Sequence, residues 1–413
     1  MQNPQEKETF KYLPRVADRA LSEALQRAGA VLIEGPKGCG KTETARRVAA
    51  SEVRVDTDPN VATVINLDPN LVLNGSTPRL LDEWQAYPVL WNTVRRAVDD
   101  RREKGQFILT GSTAPAESAG RHSGAGRFAR ITMQTMSLWE TGHSSGEVSV
   151  AALLQGEPAA AEPSSLSVEE LAERISRGGW PHYQSLTVSQ ALATNRDYIR
   201  TIAEVDIATP DGRTRNPIRV QALLRSLARG VGTEMAVTTI AADADLSRDT
   251  VRDYLDALAR IYIAQDQPAW SLSMRSRTPL RKAPKRHLAD PALALAALNK
   301  GPADLLQNFE YFGQLFESQV VHDLGVLSGE QVSHARLQNG LEVDAIIDHP
   351  DQRGLFEIKL GASMEVVNRA ADNLKAFSAE MGGSNRLIVV TAGGYSYLRP
   401  DGVQVVSIGA LGP

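Results

Sequence analysis

Eight consecutive residues, Gly35-Pro36-Lys37-Gly38-Cys39-Gly40-Lys41-Thr42, carry the densest chemistry in the sequence. They follow the apolar run Val31-Leu32-Ile33 and precede Glu43-Thr44-Ala45-Arg46-Arg47-Val48-Ala49, which predicts a helix. A strand, a G-x-x-x-x-G-K-T loop and a helix, in that order, cradle the phosphates of a nucleotide. Glycines at 35, 38 and 40 let successive backbone N–H groups turn into one concavity, where an anion replaces the missing acceptors. The start of the helix adds positive potential at the same point. Lys41 reaches the β- and γ-phosphates, and the Thr42 hydroxyl completes the shell of a Mg²⁺ ion. The loop predicts ATP with Mg²⁺ as its ligand.

Hydrolysis requires in addition a carboxylate for the ion and a polar group that positions water. Asp82-Glu83 supplies the pair, with Asp82 on the ion and Glu83 as the base. Only Leu80-Leu81 precedes it, after Pro78-Arg79, so a strand there is weak and an acidic helix cap competes, with the helical pattern running on through Leu90, Val94 and Val98. Ser112 follows the apolar run Phe107-Ile108-Leu109-Thr110 and offers a hydroxyl to sense the γ-phosphate.

The last third of the chain has a second constellation. Asp344 and Glu357-Ile358-Lys359, with Glu317 upstream, resemble the D-x(n)-E-x-K set of restriction-endonuclease-like folds. On a hairpin, Glu357 and Lys359 project from alternate residues to the face that carries Asp344. Asp344, Glu357 and Glu317 would then hold Mg²⁺ while Lys359 orients water for phosphodiester attack. Solvent-facing residues on a half-exposed hairpin are the competing reading. Between the two constellations lies a helix-turn-helix pattern, Ile240–Leu258, capped near Ser247, with Ile261-Tyr262-Ile263-Ala264 as its wing strand. A basic run, Arg275–His287, lacks any acidic residue and could meet DNA.

These sites need elements to hold them. Residues 12–30 predict an amphipathic helix, Val61–Leu67 a strand and Gln106–Thr110 another, giving a parallel sheet covered on both faces. From about 144 to 167 the sequence turns to Ala, Ser, Gly, Pro and Glu and reads as a linker or exposed insertion. Residues 168–265 are mostly helical. After them come the hairpin strands 342–348 and 354–360, a helix over 364–380 and a buried strand over 386–391.

At 413 residues the chain exceeds one ordinary core, and 45 Lys and Arg against 49 Asp and Glu leave no whole-molecule attraction to nucleic acid. The single cysteine, Cys39, excludes an internal disulfide framework and suits a reducing compartment. The segment Met1–Lys11 is polar and no apolar run has spanning length, so a cytoplasmic protein without membrane contact is expected.

The order of the loop, Leu80-Leu81-Asp82-Glu83-Trp84, Phe107–Ser112 and Ser123-Gly124-Ala125-Gly126-Arg127 resembles a bacterial and archaeal family of AAA-type ATPases with an uncharacterised carboxy-terminal region. The likeness continues through Gly178-Gly179-Trp180-Pro181, Tyr198-Ile199-Arg200 before Asp206, Lys285–Asp290 and Phe316-Glu317. It implies that Arg127 stabilises charge near the nucleotide, with Arg121 an equal candidate. An arginine from a neighbouring subunit would require an oligomer. The expected architecture is therefore α/β: an AAA-type P-loop domain over 1–145, a linker or insertion over 146–167, a helical winged-helix domain over 168–270 and a nuclease-like α/β domain over 271–413. Three functions fit it: a nucleotide-controlled switch in which ATP orders the domains and hydrolysis releases them, an ATP-dependent Mg²⁺ nuclease, and a DNA-binding regulator, with DNA or a protein as the candidate partner.

Overall fold

The computed structural model describes residues 12–113, 124–270, 283–337, 339–349 and 352–413. Its first sheet is built around Ala30–Glu34 (β1), every residue of which is buried. Helix α1 (Val16–Arg27) precedes it, shorter than expected at both ends, and α2 (Lys41–Arg46) follows the glycine-rich loop. Strands β2 (Ser51–Arg54), β3 (Arg79–Asp82), β4 (Phe107–Gly111) and β5 (Phe128–Thr132) complete a parallel sheet in the order β2-β3-β4-β1-β5. Parallel strands share one carboxy-terminal edge, so the loop after β1 and the residues ending β3 and β4 meet there.

Two expectations fail in this domain. Val61–Leu67 is a helix (α3), not a strand: Val61 and Ile65, four apart, are buried while Leu67 is 76% exposed. One helical face suffices for these residues, and β-branched composition is overridden by it. Conversely, the weak run Leu80-Leu81 is an interior strand with both side chains fully buried, so Asp82 ends a strand and does not cap a helix. Hydrogen-bonded neighbours on both sides compensate for its shortness. Helix α4 (Val89–Arg101) starts later.

Residues 144–167 are not a linker. Val148–Ser149 (β6) pairs in parallel with the chain's last strand, Leu411–Gly412, and Ala160–Ala161 (β7) pairs with Ser396-Tyr397 at the edge of the carboxy-terminal sheet. Between them α5 (Val150–Gln155) buries Val150, Leu153 and Leu154. The apolar residues are few, but they are spaced to fall on one face, which composition does not register.

The helical layer contains α6 (Val168–Arg177), α7 (Val188–Glu204), α8 (Pro217–Arg229), α9 (Val237–Ala244) and α10 (Arg248–Arg260). Asp245 makes the left-handed turn between α9 and α10, and Ser247 caps α10. The strand expected at 261–264 lies later: Tyr262 turns the chain with φ 61°, and β8 (Ala264–Gln267) pairs antiparallel with β9 (Lys285–Leu288). Helix α11 (Pro291–Leu298), apolar all round, is driven into the middle of this layer and packs on α6, α7 and α8. Residues 285–298, assigned by sequence to the last domain, thus pack with the helices.

After α12 (Pro302–Gln307) and α13 (Phe309–Ser328), the final sheet has the order β10-β11-β12-β13-β15-β14-β7, with β10 (Val332–Arg336), β11 (Glu342–His349), β12 (Gln352–Lys359), β13 (Asn385–Thr391), β14 (Ser396–Leu398) and β15 (Gln404–Ser407). β11 and β12 form the expected hairpin, β13 runs parallel to β12, and α14 (Met364–Met381) covers them. Among the described residues no helix is long and apolar enough to cross a membrane.

The docked segment gives a direct test. Leu153→Ala and Leu154→Ala should each cost about 2–5 kcal/mol in denaturant unfolding, the range for truncating a fully buried leucine. An unchanged midpoint would restore the linker reading.

Candidate functional site

The glycine-rich loop leaves the carboxy-terminal edge of β1 and wraps toward α2. Gly35 has φ +152°, and a Cβ there would stand 2.1 Å from the Met133 carbonyl oxygen, so only glycine fits. Cys39 is buried against the same strand end. Lys41 is 5% exposed and its ammonium bonds the carbonyl oxygens of Gly35 at 2.9 Å and Pro36 at 2.8 Å, which holds it across the mouth of the loop.

The carboxylates expected to act on the nucleotide converge here. Thr42 Oγ1 donates to Asp82 Oδ1 at 2.7 Å, and Thr110 Oγ1 donates to the same oxygen at 2.6 Å. Asp82 is thereby fixed beside the first residue of α2 that carries a hydroxyl. Glu83 has a left-handed backbone, φ 54°, that turns its side chain out of the strand direction, and its N–H donates to Thr110 Oγ1 at 3.3 Å. A non-glycine residue in that region stores strain, which the surrounding bonds must hold. Ser112 Oγ donates to Glu83 Oε2 at 3.1 Å, and the Gln85 amide donates to the same oxygen. Ser112 therefore orients Glu83. Thr110 is the member sequence reading missed: its place beside Asp82 comes from β4 lying between β1 and β3, which the sequence does not show.

The outer side of the loop is held by other parts of the chain. Arg15 donates to the Cys39 carbonyl at 2.6 Å and to Glu140 at 2.9 Å, both buried. The Lys37 carbonyl accepts from the Trp180 indole and the Tyr198 hydroxyl, each at 3.1 Å, and the Lys37 ammonium meets Asp206 at 2.7 Å. The motifs around residues 180, 198 and 206 had no role assignable from sequence alone. Gly179 approaches Met136 so closely that a Cβ would lie 2.3 Å from the Met136 carbonyl oxygen, and its N–H donates to Asp290 at 2.7 Å.

Arg127 is elsewhere. It precedes β5, its carbonyl accepts from Ala30 N at the start of β1, and its guanidinium bonds Asp99 on α4 at 2.8 Å. The sheet's length, roughly 16 Å for five residues, separates it from the loop. Arg121 lies outside the described residues.

The carboxy-terminal residues also come together, but around lysines. Lys285 on β9 lies 2.5 Å from Glu317 and 3.6 Å from Asp344; Lys359 lies 2.8 Å from Glu357 and 3.3 Å from Asp344. Asn373 donates to Glu357 at 3.1 Å. Two ammonium groups thus occupy the space between three carboxylates, and no group of three or more His, Cys, Asp or Glu suited to a metal ion occurs among the described residues. The expected metal ligands Glu317, Asp344 and Glu357 do not fit a divalent cation in this arrangement. Burial and the adjacent Asp344 carboxylate push Glu317 and Glu357 from 4.5 up to about 7.

Of the basic run, Arg275–Lys282 lies outside the described residues. Its remaining members are committed internally: Lys285 to Glu317, Arg286 to Asp266, and His287 to Ser318 and Gln267. In the helix pair, Arg252 bonds Asp249, and Asp253 holds the buried Arg215.

Three stretches of the chain match known families. Residues 27–142 match a family described as an AAA domain. Residues 168–304 and 312–411 match two families described as domains of unknown function, DUF8612 and DUF4143. Uncharacterized proteins of Mycobacterium tuberculosis and Mycobacterium bovis are each 27% identical over 352 residues, 84% of this chain and 73% of theirs. A solved Walker-type ATPase of Pyrococcus abyssi is a remote neighbour, at 13% identity and a TM-score of 0.39, covering 68% of this chain and 94% of that one. Residues 27–142 are thus similar to an AAA domain.

The lysine-bridged cluster predicts a pH dependence. Glu317 and Glu357 hold protons to higher pH folded than unfolded, so their contribution to stability is full below about 4.5 and falls as pH rises to about 7. A Glu317→Gln/Glu357→Gln variant should lose that slope, so its urea-unfolding free energy relative to wild type rises between those values and levels above. Parallel profiles would exclude the shift.

Proposed function

We propose that this protein binds ATP in the loop 35–42 and hydrolyses it, and that the nucleotide state controls how the helical part sits on the loop. The observation that carries this reading is the convergence of the Thr42 and Thr110 hydroxyls on one Asp82 oxygen, at 2.7 and 2.6 Å, with Thr42 next in sequence to the buried Lys41 of the loop. Thr42 and Asp82 fit a Mg²⁺ ion bound with the nucleotide; such an ion neutralises charge on the phosphate oxygens.

The chain's own groups do the rest. Lys41 exchanges the carbonyls of Gly35 and Pro36 for phosphate oxygens. Glu83, its carboxylate aimed by Ser112 and Gln85, takes a proton from water as the water oxygen attacks the γ-phosphorus and the bond to the bridging oxygen breaks. Products are ADP and inorganic phosphate.

The helical part serves as the relay, and α9, the turn at Asp245, α10 and the β8–β9 pair support reading its later half as a winged helix. That helix pair faces its own chain through Arg215 and Asp253, which favours internal relay over DNA reading. The hairpin and the parallel β13 support reading the final domain as restriction-endonuclease-like, yet its lysine-filled carboxylate cluster gives no support to metal-dependent cutting.

Substitutions separate binding from hydrolysis. Lys41→Ala should abolish measurable binding of a fluorescent ATP analogue. Glu83→Gln should keep affinity near wild type while kcat falls roughly 10²–10⁴-fold. Unaltered affinity in Lys41→Ala would refute the nucleotide site, and a wild-type rate in Glu83→Gln would refute the base.

A further inference from the structure

A peptide plane carries its carbonyl and the following N–H on opposite sides. A loop can therefore present N–H groups to an anion only if its carbonyls are satisfied on the other side. Here two such carbonyls are taken by groups from outside the loop. That of Cys39 accepts from Arg15 at 2.6 Å, and that of Lys37 accepts from Trp180 and Tyr198 at 3.1 Å each. The N–H groups across those planes belong to Gly40 and Gly38, and neither donates to any acceptor among the described residues.

The donors on Lys37 come from one platform. Trp180 packs at a tilt against Tyr198 and Tyr183, with ring centroids 5.1 and 5.4 Å away, and lies under Gly38 so that a Cβ there would touch its ring at 3.3 Å. Burial lifts the Tyr198 phenol well above its usual range, so it remains a donor at any physiological pH. Asp206, buried, pairs with the Lys37 ammonium at 2.7 Å and leaves Lys41 as the lysine at the loop mouth.

We infer that Trp180, Tyr198 and Asp206 are positioning residues for the phosphate-binding loop: Trp180 and Tyr198 hold the Lys37 carbonyl outward and Asp206 anchors the Lys37 side chain, which together turn the Gly38 N–H toward the phosphates. Because all three belong to the helical part, ATP affinity and docking of segment 180–206 form one coupled equilibrium, and each strengthens the other by the same factor. This inference rests on the loop being the ATP site.

The test uses the full chain. Trp180→Phe/Tyr198→Phe keeps both rings and removes both donors. Kd and KM for ATP should rise about ten- to thirtyfold, the worth of two hydrogen bonds, with kcat at saturation falling less than threefold. Tyr198→Phe alone should fall between, and Asp206→Asn should raise Kd in the same direction. In wild type, ATP should slow hydrogen exchange across 180–206; in the double variant that slowing should shrink. Unchanged Kd, or exchange in 180–206 indifferent to ATP in wild type, overturns the inference. Should the double variant lose the nucleotide-free melting transition, Asp206→Asn, at the edge of the platform, decides: a raised Kd with that transition intact supports the inference, and an unchanged Kd overturns it. Failure of wild type itself to bind ATP would instead remove the nucleotide site.

Discussion

A backbone that binds phosphate must turn its N–H groups one way, and the carbonyls this exposes on the far side need donors. Much of this structure follows from meeting that demand. Arg15 from the helix before the sheet and Trp180 and Tyr198 from the helical part supply donors to the outer face of the loop, and Lys41 covers two carbonyls at its mouth. The loop is thus a junction of three stretches of chain rather than a feature of one strand and one helix.

Buried acids extend the junction. Glu140 accepts from Arg15 Nε and from the backbone of Val16 and Ser137; Asp290 accepts from Gly179 and Ala292; Asp323 accepts from Leu138 N and pairs with His322. Each satisfies a backbone donor in one part of the chain from a side chain in another or beside it. A buried carboxylate left without such partners is strongly unfavourable, so these bonds resist separation of the parts and fix their register. Gly179, squeezed between Met136 and Asp290, carries that register directly to Trp180.

The carboxy-terminal cluster obeys the same logic with a different outcome. Three carboxylates gathered in a low-dielectric site need cations, and Lys285 and Lys359 provide them. Lys285 arrives on β9, whose partner strand β8 follows the helix pair, so the cluster ties the helical part to the final sheet. The same residue types at the same spacing can hold a metal in one protein and a clasp in another, and what decides is which cation the fold delivers.

Local rules read well in this chain wherever local forces dominate. The loop 35–42, the strands at 31–33 and 107–111, the 342–359 hairpin and the Ser247 cap depend on neighbouring residues, glycine freedom and period, all legible in order along the sequence. Elements whose stability comes from distant partners were misread: Leu80-Leu81 is a strand only because β2 and β4 flank it, Val61–Leu67 a helix because one face is covered, and 144–167 ordered because the end of the chain pairs with it. The sequence by itself determined that a G-x-x-x-x-G-K-T loop stands between a strand and a helix, and that the acidic pair Asp82-Glu83 follows it. Tertiary structure alone decided that Thr110 completes their site, that Arg127 faces the wrong edge, that Lys285 fills the second cluster, and that residues 180–206 clasp the loop. Those outcomes depend on strand order and on which buried donors find which acceptors across hundreds of residues, and no local pattern encodes either.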